Sequence, residues 1–237
     1  MNSFNFKNFT INQDKCAMKV GTDGVLLGAW AQPINVNAIL DIGSGTGILS
    51  LQMAQRTLAE VIDAVEIEAD AFEQTVDNFE QSDWGDRLFC YHSSIQNFAN
   101  EIDDKYDFII SNPPFFSAPY KENIVKEKRD LARYRDALSF EELLSAVAKL
   151  LSINGSCAFI IPNKSESVFL DLAKINGLLP NRITRVRGTK SSPIKRSLLQ
   201  LSFEETEIEV SELTIEIERH KYTQDYINLV NEFYIKI

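Results

Sequence analysis

From Ala38 onward the chain alternates short aliphatic runs with stretches in which apolar residues recur at helical spacing. Residues 38–42 (AILDI) read as a buried strand, and residues 46–57 place apolar side chains three and four apart, as one face of a helix requires. Residues 61–67 (VIDAVEI) make a second strand, followed by a helical stretch from Glu68 to about Ser82. Residues 87–93, 106–111 and 156–162 make three more, the last preceded by a helical run over 139–152. Strands separated by helices of roughly ten to fifteen residues imply parallel crossovers, so the expected fold is α/β, a doubly wound, mostly parallel sheet with helices on both faces. Beyond residue 180 the alternation changes. Residues 181–187 and 197–204 read as strands joined by a connection holding Gly188, Ser191, Ser192 and Pro193, an antiparallel C-terminal pair expected at the sheet edge. One domain is expected over 1–237, with an N-terminal segment (1–37) ahead of the α/β core (38–237).

Composition narrows the function classes. The 237 residues carry 24 Lys+Arg against 34 Asp+Glu, a net charge of −10, and suffice for a full hydrophobic core. The longest apolar stretch near the N-terminus, Val25 to Ala31, is far shorter than the roughly 20 residues of a membrane span, and no charged-then-apolar leader opens the chain. A cytoplasmic protein with no membrane partner is expected, and a monomer. Cys16, Cys90 and Cys157 are far apart, and His92 and His220 are isolated, so neither a disulfide framework nor a metal site is expected. The charge is uneven: Arg182, Arg185, Arg187, Lys190, Lys195 and Arg196 fall in 182–196 with no acid, while seven glutamates fall in 204–218 with no base. Such runs can be plain solvated faces, but binding depends on where charge sits rather than on its total.

The first strand runs into Gly43-Ser44-Gly45-Thr46-Gly47, and a helix opens at once. Glycines let the backbone turn sharply and bring its N–H groups near a ligand at a helix N-terminus. Asp41 precedes this turn, and Glu66 stands about twenty residues on at the end of the second strand, where a carboxylate can accept both hydroxyls of a ribose. Dinucleotide spacing wants glycine or alanine where Ile48 stands, so a nucleoside without a pyrophosphate fits better. The fourth strand ends in Asn112-Pro113-Pro114-Phe115, at the carboxyl end of a strand, where an open α/β sheet places its ligand chemistry. Two prolines also serve as a simple strand terminator. A planar amine conjugated to a base or amide is a poor nucleophile. The Asn112 side-chain oxygen and the Pro113 carbonyl can accept its two N–H bonds and favour the positive charge that develops on it. Pro114 stiffens the backbone, and Phe115 offers a ring on which a flipped base can stack.

On these residues the chain resembles the class I S-adenosylmethionine-dependent methyltransferases of the NPPF/NPPY amino-methylating group. It is most similar to the bacterial family that methylates the exocyclic N6 amine of adenine 37 in valine tRNA. The resemblance covers residues 6–31, 41–47 (DIGSGTG), 112–115 (NPPF), 187–196 (RGTKSSPIKR) and 222–234, nearly the whole chain. It implies S-adenosyl-L-methionine as cofactor and tRNA as partner. Asp41, Gly43, Gly45 and Gly47 would shape the cofactor pocket, with Glu66 on the ribose and Ile67 beside it. Asn112, Pro113, Pro114 and Phe115 would hold the target adenine. Residues 19–28, with Lys19, Gly21, Thr22 and Asp23, would cover the methionine end of the cofactor. Many relatives carry an acid after the third strand to bind the cofactor's adenine amine. Ser93, Ser94 and Ile95 stand there instead, so a backbone contact or the Ser94 hydroxyl must substitute.

The basic run is then the expected tRNA docking surface, helped by Arg133 within a mixed segment (121–135) that also holds Lys121, Lys126, Lys128, Arg129 and Arg135. The glutamates of 204–218 are expected to face away from it. The same motif serves DNA adenine and release-factor glutamine methylation, but the glutamine enzymes carry an extra helical N-terminal domain and usually a Tyr where Phe115 stands, only about 37 residues precede the first strand here, and no stretch is found for the target-recognition insertion of the DNA enzymes. A non-catalytic nucleoside-binding subunit is the remaining alternative, which an intact NPPF beside an intact glycine turn disfavours. Cys16 reads as a packed small residue, since methyl transfer to an amine needs no covalent intermediate, and His92, Trp30 and Trp84 read as packing or rim residues.

Overall fold

Residues 38–42 carry apolar side chains at every position except Asp41 because the strand they form is covered on both faces, as parallel strands are. In the computed structural model, which describes residues 3–114 and 138–236, a small hairpin of β1 (Ser3–Asn5) and β2 (Thr10–Asn12) precedes α1 (Thr22–Trp30). Then follow β3 (Ala38–Ile42), α2 (Ile48–Arg56), β4 (Val61–Glu66), α3 (Ala69–Glu80), β5 (Leu88–His92), α4 (Ile95–Glu101) and β6 (Tyr106–Ser111). The second half holds α5 (Phe140–Leu150), β7 (Leu151–Pro162), a 3-10 turn (Asn163–Ser165), α6 (Glu166–Ile175), β8 (Leu179–Thr189), β9 (Ile194–Ser202), β10 (Glu209–Glu218), β11 (Lys221–Tyr222) and α7 (Gln224–Val230).

Among the described residues, the main sheet runs in the order β11-β10-β8-β9-β7-β6-β3-β4-β5. Strands β3 to β7 are parallel, and β9 is antiparallel to both β7 and β8. The C-terminal pair thus lies on that side of the sheet as its pattern predicts, but it is not outermost, since two further strands continue beyond it. Strand β10, formed by the glutamate-rich run, pairs in parallel with β8, and β11 pairs antiparallel with β10. The alternation of strand side chains splits the core in two. Ile39, Ile62, Phe108, Ile110, Ala158 and Ile160 point to the side covered by α1, α2 and α7. Leu40, Ile42, Ile109, Phe159 and Ile161 point to the side covered by α4, α5 and α6.

The ends of the chain meet on the first of these sides. Phe6 bridges Tyr234, the Lys7 backbone N–H donates to Phe233 O at 2.8 Å, and the rings of Phe4 and Phe6 lie 6.0 Å and 5.8 Å from that of Tyr234. Trp30, at the end of α1, is tied across to β8: its indole N–H donates to Thr184 Oγ1 at 2.8 Å, and the Arg182 guanidinium lies 4.3 Å from the ring centre.

Helices α1 and α2 approach closely at Gly28, where an added Cβ would stand 2.1 Å from Gln52 Oε1 and 2.4 Å from Gln52 Cδ. Gln52 is fully buried and donates to Val25 O at 3.1 Å, so it has nowhere to withdraw. Gly28→Ala is expected to destabilise the fold by roughly 1–3 kcal/mol through overpacking, read as a lower Tm. Adding Gln52→Ala should recover part of that loss, and equal Tm values for wild type and Gly28→Ala would show that the contact yields.

Candidate functional site

Strand β3 ends at the switch point of the sheet, between β4 on one side and β6 on the other, where a crevice opens at the carboxyl ends of the strands. Gly43, Gly45 and Gly47 all adopt left-handed backbone, with φ of 75°, 58° and 77°, which disfavours any residue carrying a Cβ. A Cβ on Gly43 or Gly45 would meet nothing within 4 Å, so both border open space, whereas one on Gly47 would stand 2.7 Å from Phe79. Because Gly47 occupies the N-cap of α2 without a side chain, Asp41 supplies the missing acceptor. Its Oδ2 takes the Ser50 N–H at 3.1 Å and the Ser50 hydroxyl at 2.8 Å. Its Oδ1 is buried with no hydrogen-bond partner among the described residues. Burial pushes the Asp41 carboxyl up to about 7, against the two Ser50 bonds and with a smaller contribution from the charge of Glu66.

Glu66 holds the turn from the other side. Its Oε2 accepts the Gly45 N–H at 2.8 Å, and its Oε1 accepts those of Ile67 at 2.8 Å and Glu68 at 2.9 Å. Three of about four in-plane acceptor positions of the carboxylate are thereby used. Ile67 is half exposed next to it. His92 ends β5, its Nε2 at 3.0 Å from Ile67 O and its ring stacked 5.1 Å from Phe72. The Ser94 hydroxyl oxygen accepts the Asn97 N–H as the N-cap of α4, and Ile95 is buried in the core beneath. Ser94 thus keeps its O–H to donate.

Asn112 follows directly on β6. Asp41 is registered with Ile110, and the Ser111 hydroxyl donates to Ile42 O at 2.7 Å, so Asn112 stands level with Gly43 across one strand spacing. The Asn112 Oδ1 is buried and accepts nothing among the described residues. Pro113 is buried and Pro114 partly so. Phe115, Arg133 and the rest of 115–137 lie outside the described residues.

Residues 19–28 enter α1 through Gly21, with Lys19, Gly21 and Thr22 exposed. Asp23, in the first turn, accepts from Arg196 Nε at 2.8 Å. The backbone leading into this segment is pinned by amide side chains that carry no motif. Gln13 Oε1 accepts the Val20 N–H and Gln74 Oε1 that of Lys15. Asn78 accepts the Asn12 N–H and donates to Asn12 O and Thr46 O, at 2.8–2.9 Å. Thr75 Oγ1 donates to Gly45 O at 2.9 Å. The polar face of α3 therefore holds the glycine turn and the N-terminal segment together, a role that sequence reasoning missed. The Cys16 thiol donates to Gly45 O at 3.2 Å, and burial pushes it up to about 11, so it stays a neutral packed group.

The basic run is divided. Arg185 forks onto Glu166 at 2.6–3.1 Å, Arg187 pairs with Glu212 at 2.5 Å, Arg182 lies 3.8 Å from Glu209, and Arg196 pairs with Asp23. The glutamates of β10 thus do not face away from the basic run but flank it, because β10 adds to the sheet beside β8. Lys190 and Lys195 are exposed and have no carboxylate partner among the described residues. Arg182, toward the opposite end of β8 from its turn with β9, lies over the Trp30 ring and donates to Trp30 O at 2.9 Å. Among the described residues, no group of three His, Cys, Asp or Glu could hold a metal ion, and no helix is long and apolar enough to cross a membrane.

Asp41 makes folding depend on pH. With its carboxyl raised to about 7 from an ordinary value of 3.8, the folded form holds a proton that the unfolded form has released, so stability falls as pH rises through this window and is flat above it. Asp41→Asn, which keeps an oxygen for Ser50, should flatten that part of a Tm-against-pH series recorded without ligand. An unchanged slope between pH 4 and 7 would contradict the assignment.

Comparison with known proteins agrees with this geometry. The family model of the methyltransferase small domain matches residues 20–164. The chain is 58% identical over 236 residues to the tRNA1(Val) (adenine(37)-N6)-methyltransferase of Flavobacterium johnsoniae, covering 99% of this chain and 100% of the relative. It is 40% identical over 237 residues to the protein of the same description from Pseudoalteromonas translucida, with 100% of both covered. Among solved structures, a predicted O-methyltransferase from Agrobacterium tumefaciens superposes with a TM-score of 0.68 at 18% identity, over 89% of this chain and 96% of that one, a likeness of fold. The chain belongs to the methyltransferase small domain family, and to the same full-length family as these two bacterial relatives.

Proposed function

We propose that the protein transfers the methyl group of S-adenosylmethionine to the N6 amine of adenine 37 of a valine tRNA, the activity in the names of its full-length relatives. Those names favour tRNA over DNA adenine or protein glutamine. The observation that carries the chemistry is the Asn112 side-chain oxygen, buried and unpartnered one strand from the glycine turn. A buried acceptor left empty costs on the order of 1–3 kcal/mol, which an N–H of the entering amine relieves. Accepting that N–H, together with the second at the Pro113 carbonyl, draws the amine from planar toward tetrahedral and stabilises its developing charge. No strong base is required: the amine becomes acidic once alkylated and releases its proton to solvent.

The residues present fit the cofactor. Gly43 and Gly45 leave the space beside the turn open, and Glu66 retains one acceptor position for a ribose hydroxyl. When bound, S-adenosylmethionine supplies a methyl group activated by a positively charged sulfur. Asp41, which burial makes costly to ionise, becomes easier to ionise beside that charge. Residues 19–23, exposed or partly so, cover the pocket mouth, while Gly24 to Gly28 are buried in α1.

Asn112→Ala is expected to lower turnover by about 100- to 1000-fold, the usual loss for one transition-state stabiliser, while S-adenosylhomocysteine affinity stays within a few-fold. More than a tenth of wild-type activity would remove Asn112 from this role.

Glu66→Ala is expected to weaken S-adenosylhomocysteine about ten- to a hundredfold, the value of one hydrogen bond to a charged group. Glu66→Gln should do no better, since its amide turns an acceptor into a donor facing the N–H groups of Gly45 or of Ile67 and Glu68. Wild-type affinity by calorimetry in either variant would overturn the assignment.

A further inference from the structure

Resting on that reading, we propose that tRNA is held by three lysines, Lys164, Lys190 and Lys195, at the end of the sheet above Asn112, while the arginines of the basic run brace the fold. The ion pairs divide the two groups. Arg185 is locked to Glu166, whose carboxylate also takes the Ser197 hydroxyl at 2.5 Å and the Asn163 amide at 3.1 Å. Arg187 and Arg196 are held by Glu212 and Asp23. A guanidinium already paired with a carboxylate brings a largely cancelled charge to a phosphate, and Arg185, with three contacts on Glu166, has its Nε and Nη2 donors committed as well. The three lysines are exposed and have no carboxylate within ion-pair distance among the described residues.

The register brings these lysines together. Ser111 pairs with Phe159, which sets Asn112 level with Ile160 of β7, and Pro162 pairs with Arg196. Lys164 lies in the 3-10 turn two residues past Pro162, and Lys195 precedes Arg196 on the neighbouring strand. Lys195 is therefore two strands across and three residues beyond Asn112, about 10 Å in each direction. Lys190 caps the tip of the same hairpin, in the turn closed by the Ser192 N–H on Thr189 O at 2.9 Å. Point charges set outward from the amine-binding atoms in this way, Lys195 nearer and Lys190 farther out at the tip, suit phosphates flanking a base that has been turned out of its stack, and not the base itself. In a chain of net charge −10, such a patch also fixes which end meets the polyanion.

The test compares two triple variants of equal charge: Lys164→Ala, Lys190→Ala and Lys195→Ala together, and Lys105→Ala, Lys149→Ala and Lys174→Ala together, the latter at the opposite ends of β6, α5 and α6. Binding of unmodified valine tRNA is measured across a salt series, with methyl-transfer kinetics beside it. The first variant should lower the slope of log affinity against log salt by about two to three units and raise KM for tRNA roughly ten- to a hundredfold at 0.1 M salt. Its kcat and S-adenosylhomocysteine affinity should match wild type. The second should keep the wild-type slope. Equal losses in both variants, or a wild-type slope in the first, would overturn the proposal while leaving tRNA methylation intact. A wild-type enzyme that neither binds nor methylates tRNA would overturn both readings.

Discussion

Two buried carboxylates hold the turn between β3 and α2, and the site is built outward from them. Three left-handed glycines alone would leave that turn with little stiffness, because glycine loses more freedom on folding than any other residue. Asp41 fixes the helix end by accepting twice from Ser50, and Glu66 fixes the apex by accepting from Gly45. Both acids are buried, and burial raises the Asp41 carboxyl to about 7 while its Oδ1 accepts no hydrogen bond among the described residues. That cost is met at the carboxyl end of β3, where Gly43 and Gly45 border open space.

Strand β6 matches its sequence pattern residue for residue, and β3 does too, since runs buried on both faces leave little ambiguity about their ends. Helix α2 starts two positions later than its periodicity suggests because Gly47 is still left-handed. Strand β7 begins at Leu151, directly after α5, although the sequence pattern extends the helix to residue 152 and starts the strand at 156; a register shift in its pairing with β6 absorbs the extra residues. Strand β10 was hidden by its charge. Its alternating glutamates look like a solvated run, yet they sit beside the arginines of β8, and nothing in a one-dimensional charge count reveals that pairing.

The same distinction separates the legible part of the site from the rest. Asp41, the glycines, Glu66 and Asn112 announce themselves because each sits at a strand end in a short motif. Gln74, Thr75 and Asn78 do not, since amides and hydroxyls on a helix carry no signal until a second chain segment arrives to use them. The sorting of the basic residues into braces and free lysines likewise depends on partners far away in sequence, such as Asp23 for Arg196.

The meeting of the hairpin with the C-terminal residues has a consequence for the order of folding. Lys7 bonds to Phe233 and Phe6 bridges Tyr234, so the contacts that close the hairpin onto the body join segments at opposite ends of this sequence. Contacts of such sequence separation are the costliest in loop-closure entropy. The segment that leads into α1, anchored at one end by that hairpin, therefore settles only after the parallel strands, joined by much shorter connections, have paired.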